Sequence, residues 1–233
     1  GKKVSDQWAS IGHSQGGHAV LGAAQYASRA QLNYKGTVAI APASNLASIL
    51  TIGEQQASTL PINYQIQMLA QLDTYTALIV AGMQGHNKSV TYNEVFKNDT
   101  VILAPIAEAE CSSTVGVQLG TAMSIYAAGI GQGTLTGYGR LQSGFMSIPV
   151  IDTFLKKDSQ PGLAPLNKKV FIYQGEADTT VPKAATDLLI ASMKANGTSA
   201  SNIQYTTSAA WDHGTVYTQN YTSFVDNIDS LFQ

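Results

Sequence analysis

The segment from residue 6 to residue 44 most limits the folds that are open to this chain. Its first part, DQWASIGHS, predicts a buried strand that ends in a sharp turn. The next part, QGGHAVLGAAQYASRA, carries small and apolar residues at helical spacing. The run GTVAIAPAS opens at Gly36 and closes at Pro42, which is typical of a second buried strand. A strand, a helix and a strand in this order predict a parallel crossover unit.

This α/β pattern is interrupted after the second strand. Connections in α/β units usually have about 2–6 residues, whereas residues 45–167 form one long, weakly charged stretch with mainly helical patterns. Its helix candidates are LPINYQIQMLAQLDTYTALIVAGM, SVTYNEVFKN and TVGVQLGTAMSIYAAG. We therefore predict an α/β core in two parts, residues 1–44 and 168–233, with an inserted helical subdomain at 45–167.

The α/β pattern resumes near the C-terminus. Residues 170–173 predict a buried strand, and Pro182 opens a helix that Gly197 ends. NIQYTTS alternates as a strand does, and WDHG follows it as a loop. The last segment predicts a helix whose apolar face consists of Tyr221, Phe224, Val225, Ile228, Leu231 and Phe232.

Composition excludes several classes of protein. The hydrophobic fraction is 44%, which argues against a disordered chain. The net charge is −2 and there is no basic run, so neither a nucleic acid nor an anionic membrane surface is an expected partner. No apolar run reaches the ~18 residues that a membrane span requires. Only 12% of residues are charged, and Ser, Thr, Gln, Asn and Gly supply the polar surface. That composition favours an extracellular protein.

Cysteine and histidine usage points away from metal chemistry. The single cysteine, Cys111, allows no intrachain disulfide and no thiolate cluster, and we expect it to be a buried small hydrophobe. No pair of histidines has metal-ligand spacing beside a carboxylate, so we predict no metal site. Three histidines are predicted to be structural: His13, His18 and His86.

The motif GHSQG places Ser14 in a G-x-S-x-G turn between the first strand and the first helix. A serine hydroxyl is a poor nucleophile unless a base lies within hydrogen-bond reach and donors stabilise the oxyanion that forms. In such a turn the flanking glycines let the strand and the helix pack closely. By itself the motif is weak evidence for a nucleophile, since a glycine-rich helix start with an exposed serine would have the same sequence.

Two further residues make Ser14 a candidate nucleophile. Asp178 follows the next core strand and His213 follows the last one, which gives the order Ser, Asp, His. The carboxyl ends of parallel strands meet at one edge of a sheet, where open α/β sheets form their sites. Taken singly, Asp178 could be a helix cap and His213 a surface-loop histidine. Three other acidic residues are weaker candidates for the acid: Glu176, Asp187 and Asp212.

These motifs together resemble the α/β-hydrolase superfamily, and within it the secreted lipases typified by yeast lipase A. The residues that carry the resemblance are GHSQGG, APASNLASIL, YQGEADTTVP and WDHG. The resemblance implies a mostly parallel sheet with residues 45–167 as a large helical lid. It also implies a nucleophile at Ser14, an acid at Asp178, a base at His213 and an oxyanion donor in the backbone N–H of Gln15. Members hydrolyse simple or lipidic acyl esters without a cofactor.

The sequence departs from that family in two ways. Family members generally have disulfides, whereas this chain has one cysteine. The resemblance also begins at the fifth strand of the fold, so the first four strands and the second oxyanion donor would lie upstream of the chain. We therefore expect the strand near residues 9–11 to have a bare apolar edge. A second polypeptide such as an N-terminal fragment, self-association or a rearranged lid would cover that edge.

Several functions stay open at this point. An ester hydrolase of the lipase or carboxylesterase type is the leading hypothesis, because an apolar, charge-poor lid favours acyl chains over sugars or nucleotides. A serine peptidase or an acyltransferase of the same fold would use the same residues. A non-catalytic, hydrolase-like binding module is the alternative from a different class.

Overall fold

A computed structural model describes residues 4–233 and contains a four-stranded parallel sheet. The strands are β1 (Gln7–His13), β2 (Asn33–Ile40), β3 (Lys169–Gly175) and β4 (Ile203–Ser208), in the spatial order β1-β2-β3-β4. Ile11 pairs with Val38, Val38 with Phe171, and Phe171 with Gln204. Within the described residues β1 pairs only with β2, so one side of β1 is an open edge.

Helices connect the strands. The connection from β1 to β2 contains α1 (Gln15–Gln25), and the connection from β3 to β4 contains α8 (Lys183–Ala195). After β4 come α9 (Thr215–Thr218) and α10 (Tyr221–Ser230). The long connection from β2 to β3 contains α2 (Leu46–Ala57), α3 (Ile62–His86), α4 (Tyr92–Val95), α5 (Asn98–Leu103), α6 (Ser112–Ala128) and α7 (Pro149–Thr153). The predicted strand–helix–strand unit is confirmed. None of the helices described between residues 4 and 233 has the length and apolar character to cross a bilayer.

The chain divides into two compact units. One contains the sheet and comprises the residues up to Ile49 and those from Lys156 onward, and the other comprises Leu50–Leu155. The second unit is helical, as the sequence predicts for the middle of the chain. Its interpretation as a lid, with boundaries at 45 and 167, stays a prediction.

The sheet unit has a core on each face of the sheet. Alternate residues of a strand point to opposite faces, so the two inner strands, β2 and β3, each contribute to both cores. One core contains Leu21, Ala39, Ile172, Leu189 and Met193, which joins the sheet to α1 and α8. The other contains Val38, Ile40, Phe171, Tyr173 and Phe224, which joins the sheet to α10. Coverage on both faces is what a parallel sheet requires.

The helical unit contains a partly buried cluster of charged side chains. Arg140 donates to Glu54 at 2.7 Å and to Asp73 at 2.9 Å, and the side chain of Asp73 is fully buried. A buried carboxylate is tolerated because the guanidinium pairs with it directly. Cys111 is exposed, so its expected burial is wrong. It lies just before the start of α6, outside the packed part of that helix.

The terminal helix differs from its predicted burial. Phe224 is buried, but Tyr221 is 65% exposed and Val225 is 43% exposed. A groove of about 380 Å³ separates this helix from the open edge of β1, where Ile11 is 47% exposed. The groove is lined by Ile11, Gly12, His13, Ile40, Tyr217, Tyr221, Phe224, Val225 and Ile228. The apolar face of α10 is therefore wider than the part of the sheet that covers it.

Candidate active site

Ser14 lies in a strained turn between β1 and α1. Its backbone angles are φ 58° and ψ −117°, a combination that residues other than glycine rarely adopt. Such a conformation costs on the order of 1–3 kcal/mol and persists only where the surroundings impose it. The Ser14 N–H donates to the carbonyl oxygen of Ile40 at 2.8 Å, and the Ser14 carbonyl accepts the N–H of Ala43 at 3.2 Å. These bonds tie the turn to the end of β2.

Two glycines allow this turn to pack. A Cβ at Gly12 would overlap the carbonyl group of Gly16. A Cβ at Gly17 would lie 2.8 Å from the carbonyl oxygen of Ile40 and 3.0 Å from Cα of Pro42. A Cβ at Gly16 itself would have no atom within 4 Å. Close packing therefore requires Gly12 and Gly17, and the prediction that both glycines flanking the serine provide it is wrong for Gly16.

Gly17→Ala should consequently destabilise the protein, since the new methyl group would push α1 away from the end of β2. We expect a loss of about 1–3 kcal/mol in the free energy of unfolding, the usual cost of overpacking. Gly16→Ala is the matched control. It should be neutral or slightly stabilising, because alanine has the higher helix propensity. Urea unfolding of both variants checks this, and equal stabilities would contradict it.

Asp178 and His213 are joined by a hydrogen bond. Asp178 follows β3 and His213 follows β4, and the His213 Nδ1–H donates to Asp178 Oδ2 at 2.7 Å. Asp178 Oδ1 accepts the backbone N–H groups of Thr180 at 2.9 Å and Val181 at 2.8 Å. The side chain of Asp178 is fully buried and that of His213 is 22% exposed. With its proton held on Nδ1, a neutral imidazole has a free acceptor at Nε2.

Gln174 also contacts this carboxylate, and sequence reasoning missed it. Its Nε2–H donates to Asp178 Oδ2 at 3.2 Å and to the Val181 carbonyl at 2.9 Å, and its Oε1 accepts the Thr186 hydroxyl at 2.7 Å. Gln174 is fully buried. The available signal was an amide side chain in the otherwise apolar strand VFIYQG, since a buried polar group needs partners.

The three weaker candidates for the acid have other partners. Glu176 accepts the hydroxyl of Thr207 at 2.7 Å. Asp187 lies in α8 and pairs at 2.9 Å with the lysine four residues before it. Asp212 accepts the backbone N–H of Thr215 at 2.7 Å, and this hydrogen bond is the main reason that the pKa of Asp212 is lowered. In the described structure the carboxylate bonded to the His213 ring is therefore that of Asp178.

The residue next to Ser14 in the sequence links the serine turn to His213. The residue before Ser14, His13, hydrogen-bonds to the backbone carbonyl of His213 at 2.8 Å. Within residues 4–233 the Ser14 hydroxyl has no hydrogen bond to the His213 ring, and such bonds are often long without substrate. The N–H of Gln15 belongs to the first residue of α1, so it has no acceptor within the helix. It is available to a negatively charged group beside Ser14.

Across the part of the chain that the structure describes, no three His, Cys, Asp or Glu side chains group as metal ligands would. The available groups are a hydroxyl, an imidazole, a buried carboxylate and a helix N-terminus. This set can perform nucleophilic attack with proton transfer.

Comparison with solved structures identifies the fold. Candida antarctica lipase A in its closed state matches with a TM-score of 0.62 and 14% identity, over 97% of this chain and 49% of that one. The rice cell wall degrading esterase LipA of Xanthomonas oryzae matches with a TM-score of 0.62 and 13% identity, over 98% and 59%. A proposed hydrolase of Legionella pneumophila matches with a TM-score of 0.66 and 13% identity, over 98% and 57%.

The predicted fold class is thereby confirmed: the chain has the α/β-hydrolase fold. It spans between 49% and 59% of the length of these three structures. No protein-family model matches the sequence, and no curated protein matches it.

Proposed function

We propose that this chain carries the catalytic residues of a serine hydrolase that cleaves carboxylic esters. One observation carries the proposal: a serine in a strained turn follows one strand, and a buried Asp178–His213 hydrogen bond joins the ends of two other strands of the same sheet. In this proposal Ser14 is the nucleophile, His213 the general base and Asp178 the residue that orients it.

The first half of the reaction would form an acyl-enzyme. Ser14 Oγ attacks the ester carbonyl carbon while its proton moves to His213 Nε2. The electron pair of the C=O bond moves to oxygen, and the N–H of Gln15 donates to that oxyanion. Asp178 stabilises the imidazolium through Nδ1–H. When the tetrahedral intermediate collapses, the C–O bond to the alcohol breaks and His213 returns its proton to the departing oxygen.

The second half would release the acid. A water molecule gives a proton to His213 Nε2 as its oxygen attacks the acyl carbon. Collapse of the second tetrahedral intermediate breaks the bond to Ser14 Oγ, which recovers the proton from His213. Electrons and protons balance over the two halves, and no cofactor takes part.

The proposed substrates are simple or lipidic acyl esters. Two of the proteins that share the fold are described as a lipase and an esterase. The sequence supports the same class, because the segment TVGVQLGTAMSIYAAG of the helical unit contains no charged residue. Charge-poor surfaces suit acyl chains better than they suit sugars or nucleotides.

Covalent labelling with a fluorophosphonate tests the proposal. The reagent should phosphonylate one residue, and peptide mass mapping should place the adduct on Ser14. Labelling is a single-turnover reaction, so even a slow enzyme accumulates the product. Ser14→Ala is the control and should take no label. A label elsewhere, or none after long incubation with an otherwise folded protein, would reject the hydrolase and favour the binding module.

A substrate panel separates the enzymatic alternatives. An ester hydrolase should turn over p-nitrophenyl esters much faster than matching p-nitroanilides. Comparable turnover of the anilides would favour a peptidase. Preferential transfer to an added alcohol rather than to water would favour an acyltransferase.

We also propose that further polypeptide covers the open edge of β1. The edge strand carries an exposed isoleucine, Ile11, and the adjoining groove exposes Tyr221 and Val225. The solved structures of this fold are considerably longer than the chain. The proposed occupant is a segment that adds a strand to β1 and a helix against α10.

A further inference from the structure

A second histidine lies directly against His213. The rings of His13 and His213 have centroids 4.7 Å apart, and the His13 ring also stacks on that of Tyr217, with centroids 5.5 Å apart. His13 Nε2 also lies 2.8 Å from the backbone oxygen of His213. The residue before Ser14 therefore holds both the ring and the main chain of His213.

The chemistry of this hydrogen bond fixes the proton on His13. A carbonyl oxygen can only accept, so Nε2 of His13 must be the donor. Burial lowers the pKa of His13, which favours the neutral ring with its proton on Nε2. The titratable groups facing this ring are His213, Asp178 and Tyr217. A neutral His13 adds no second positive charge beside an imidazolium on His213.

The position of His13 couples two segments that are far apart in sequence. It ends β1 and precedes Ser14, whereas His213 lies in the loop after β4. Asp178 holds the His213 ring at Nδ1, and the Ala177 N–H, which donates to the Trp211 carbonyl, ties the same loop to the segment after β3. The bond from His13 ties the loop to the end of β1 as well, which fixes the distance between the serine turn and the histidine loop. Misplacement of a reacting group by about 1 Å can cost about a hundredfold in rate.

We propose that His13 is a positioning residue, which holds His213 at a fixed distance from Ser14 through its Nε2–H···O=C hydrogen bond. This inference rests on the proposed function, since it assigns His13 a part in the reaction of Ser14. It replaces the prediction that His13 is merely structural. His13 itself touches no reacting atom.

The fluorophosphonate reaction measures this role through two substitutions. His13→Phe keeps an aromatic ring against His213 and Tyr217 but loses the donor, and it should slow labelling of Ser14 about tenfold or more. His13→Gln keeps an N–H donor and should recover most of the rate. With ester substrates the loss should fall on kcat rather than on KM.

His18 provides a matched control in the same part of the fold. Its Nε2 donates to the carbonyl of Ser159 at 2.6 Å, so it makes the same kind of bond without contact to His213. His18→Phe should label within about twofold of the unmodified protein, the scatter expected for residues outside the reacting set. If His18→Phe and His13→Phe slow labelling equally, the effect is general loosening and the proposal fails. It fails also if His13→Phe labels at the original rate.

A measurement without any reaction separates this inference from the proposed function. The Nδ1 proton of His213, held by Asp178, should give a sharp downfield proton resonance in water. His13→Phe should broaden it by faster exchange, whereas His18→Phe should not. An unlabelled Ser14 would reject the hydrolase alone, and an unchanged resonance in His13→Phe would overturn the positioning role alone.

Discussion

Replacement of Ser14 with alanine is expected to lower ester hydrolysis on the order of a millionfold, the scale seen when a triad nucleophile is removed. The physical reason is that no other side chain of the turn can attack, while binding and the N–H of Gln15 remain. Initial rates on p-nitrophenyl esters measure the loss. The fold should be kept, because the substitution removes only a hydroxyl that makes no bond to His213.

His213→Ala should cost about as much as Ser14→Ala, and the double variant should lose no more than either single one. Residues that act as a unit are non-additive, because removing one makes the other useless. Losses that multiply in the double variant would show that Ser14 and His213 act separately, which would contradict the proposed triad.

The acid can be identified by three isosteric amides. Asp178→Asn places an N–H where His213 Nδ1–H needs an acceptor, and such a change costs on the order of 10⁴ in kcat elsewhere. Asp212→Asn keeps an oxygen for the N–H of Thr215, and Glu176→Gln keeps one for the Thr207 hydroxyl, so both should retain activity. Full activity in Asp178→Asn with a loss in either control would move the acid to that residue.

The parts of the site that could be predicted are those set by local patterns. Ser14 lies between a strand pattern and a helix pattern, and both elements form where expected. Asp178 and His213 follow short strands that apolar runs and turn residues mark clearly. Parallel strands bring their carboxyl ends to one edge, so a correct strand order is enough to suggest the hydrogen bond between these two residues.

The parts that could not be predicted depend on neighbours distant in sequence. Gly17 matters because the end of β2 passes within contact of it, and nothing in GHSQGG distinguishes it from Gly16. Gln174 contacts the Asp178 carboxylate only because the loop after β3 turns back over its amide. The periodicity of α10 gives an apolar face, but periodicity does not say which residues of that face are covered.

Expression of residues 1–233 alone should give a protein that self-associates and hydrolyses esters weakly. The open edge of β1 and the groove beside α10 expose apolar side chains that a parallel sheet normally covers. Ile11→Lys should reduce self-association, because a lysine on an edge strand opposes pairing. Ile130→Lys is the matched control, since Ile130 is 82% exposed and lies outside this groove. Light scattering and gel filtration compare the three proteins.

A protein that also carries the covering segment should hydrolyse esters about a hundred- to a thousandfold faster. One oxyanion donor stabilises the transition state by about 3–4 kcal/mol, which corresponds to that change in rate. The reason is that Gln15 is the one donor predicted from the chain, and an oxyanion hole needs a second. Initial rates on p-nitrophenyl esters, compared between residues 1–233 and a protein that includes such a segment, measure the difference. A monomeric chain of residues 1–233 with equal activity would mean that its own residues supply the second donor, and the proposed segment would then have no catalytic part.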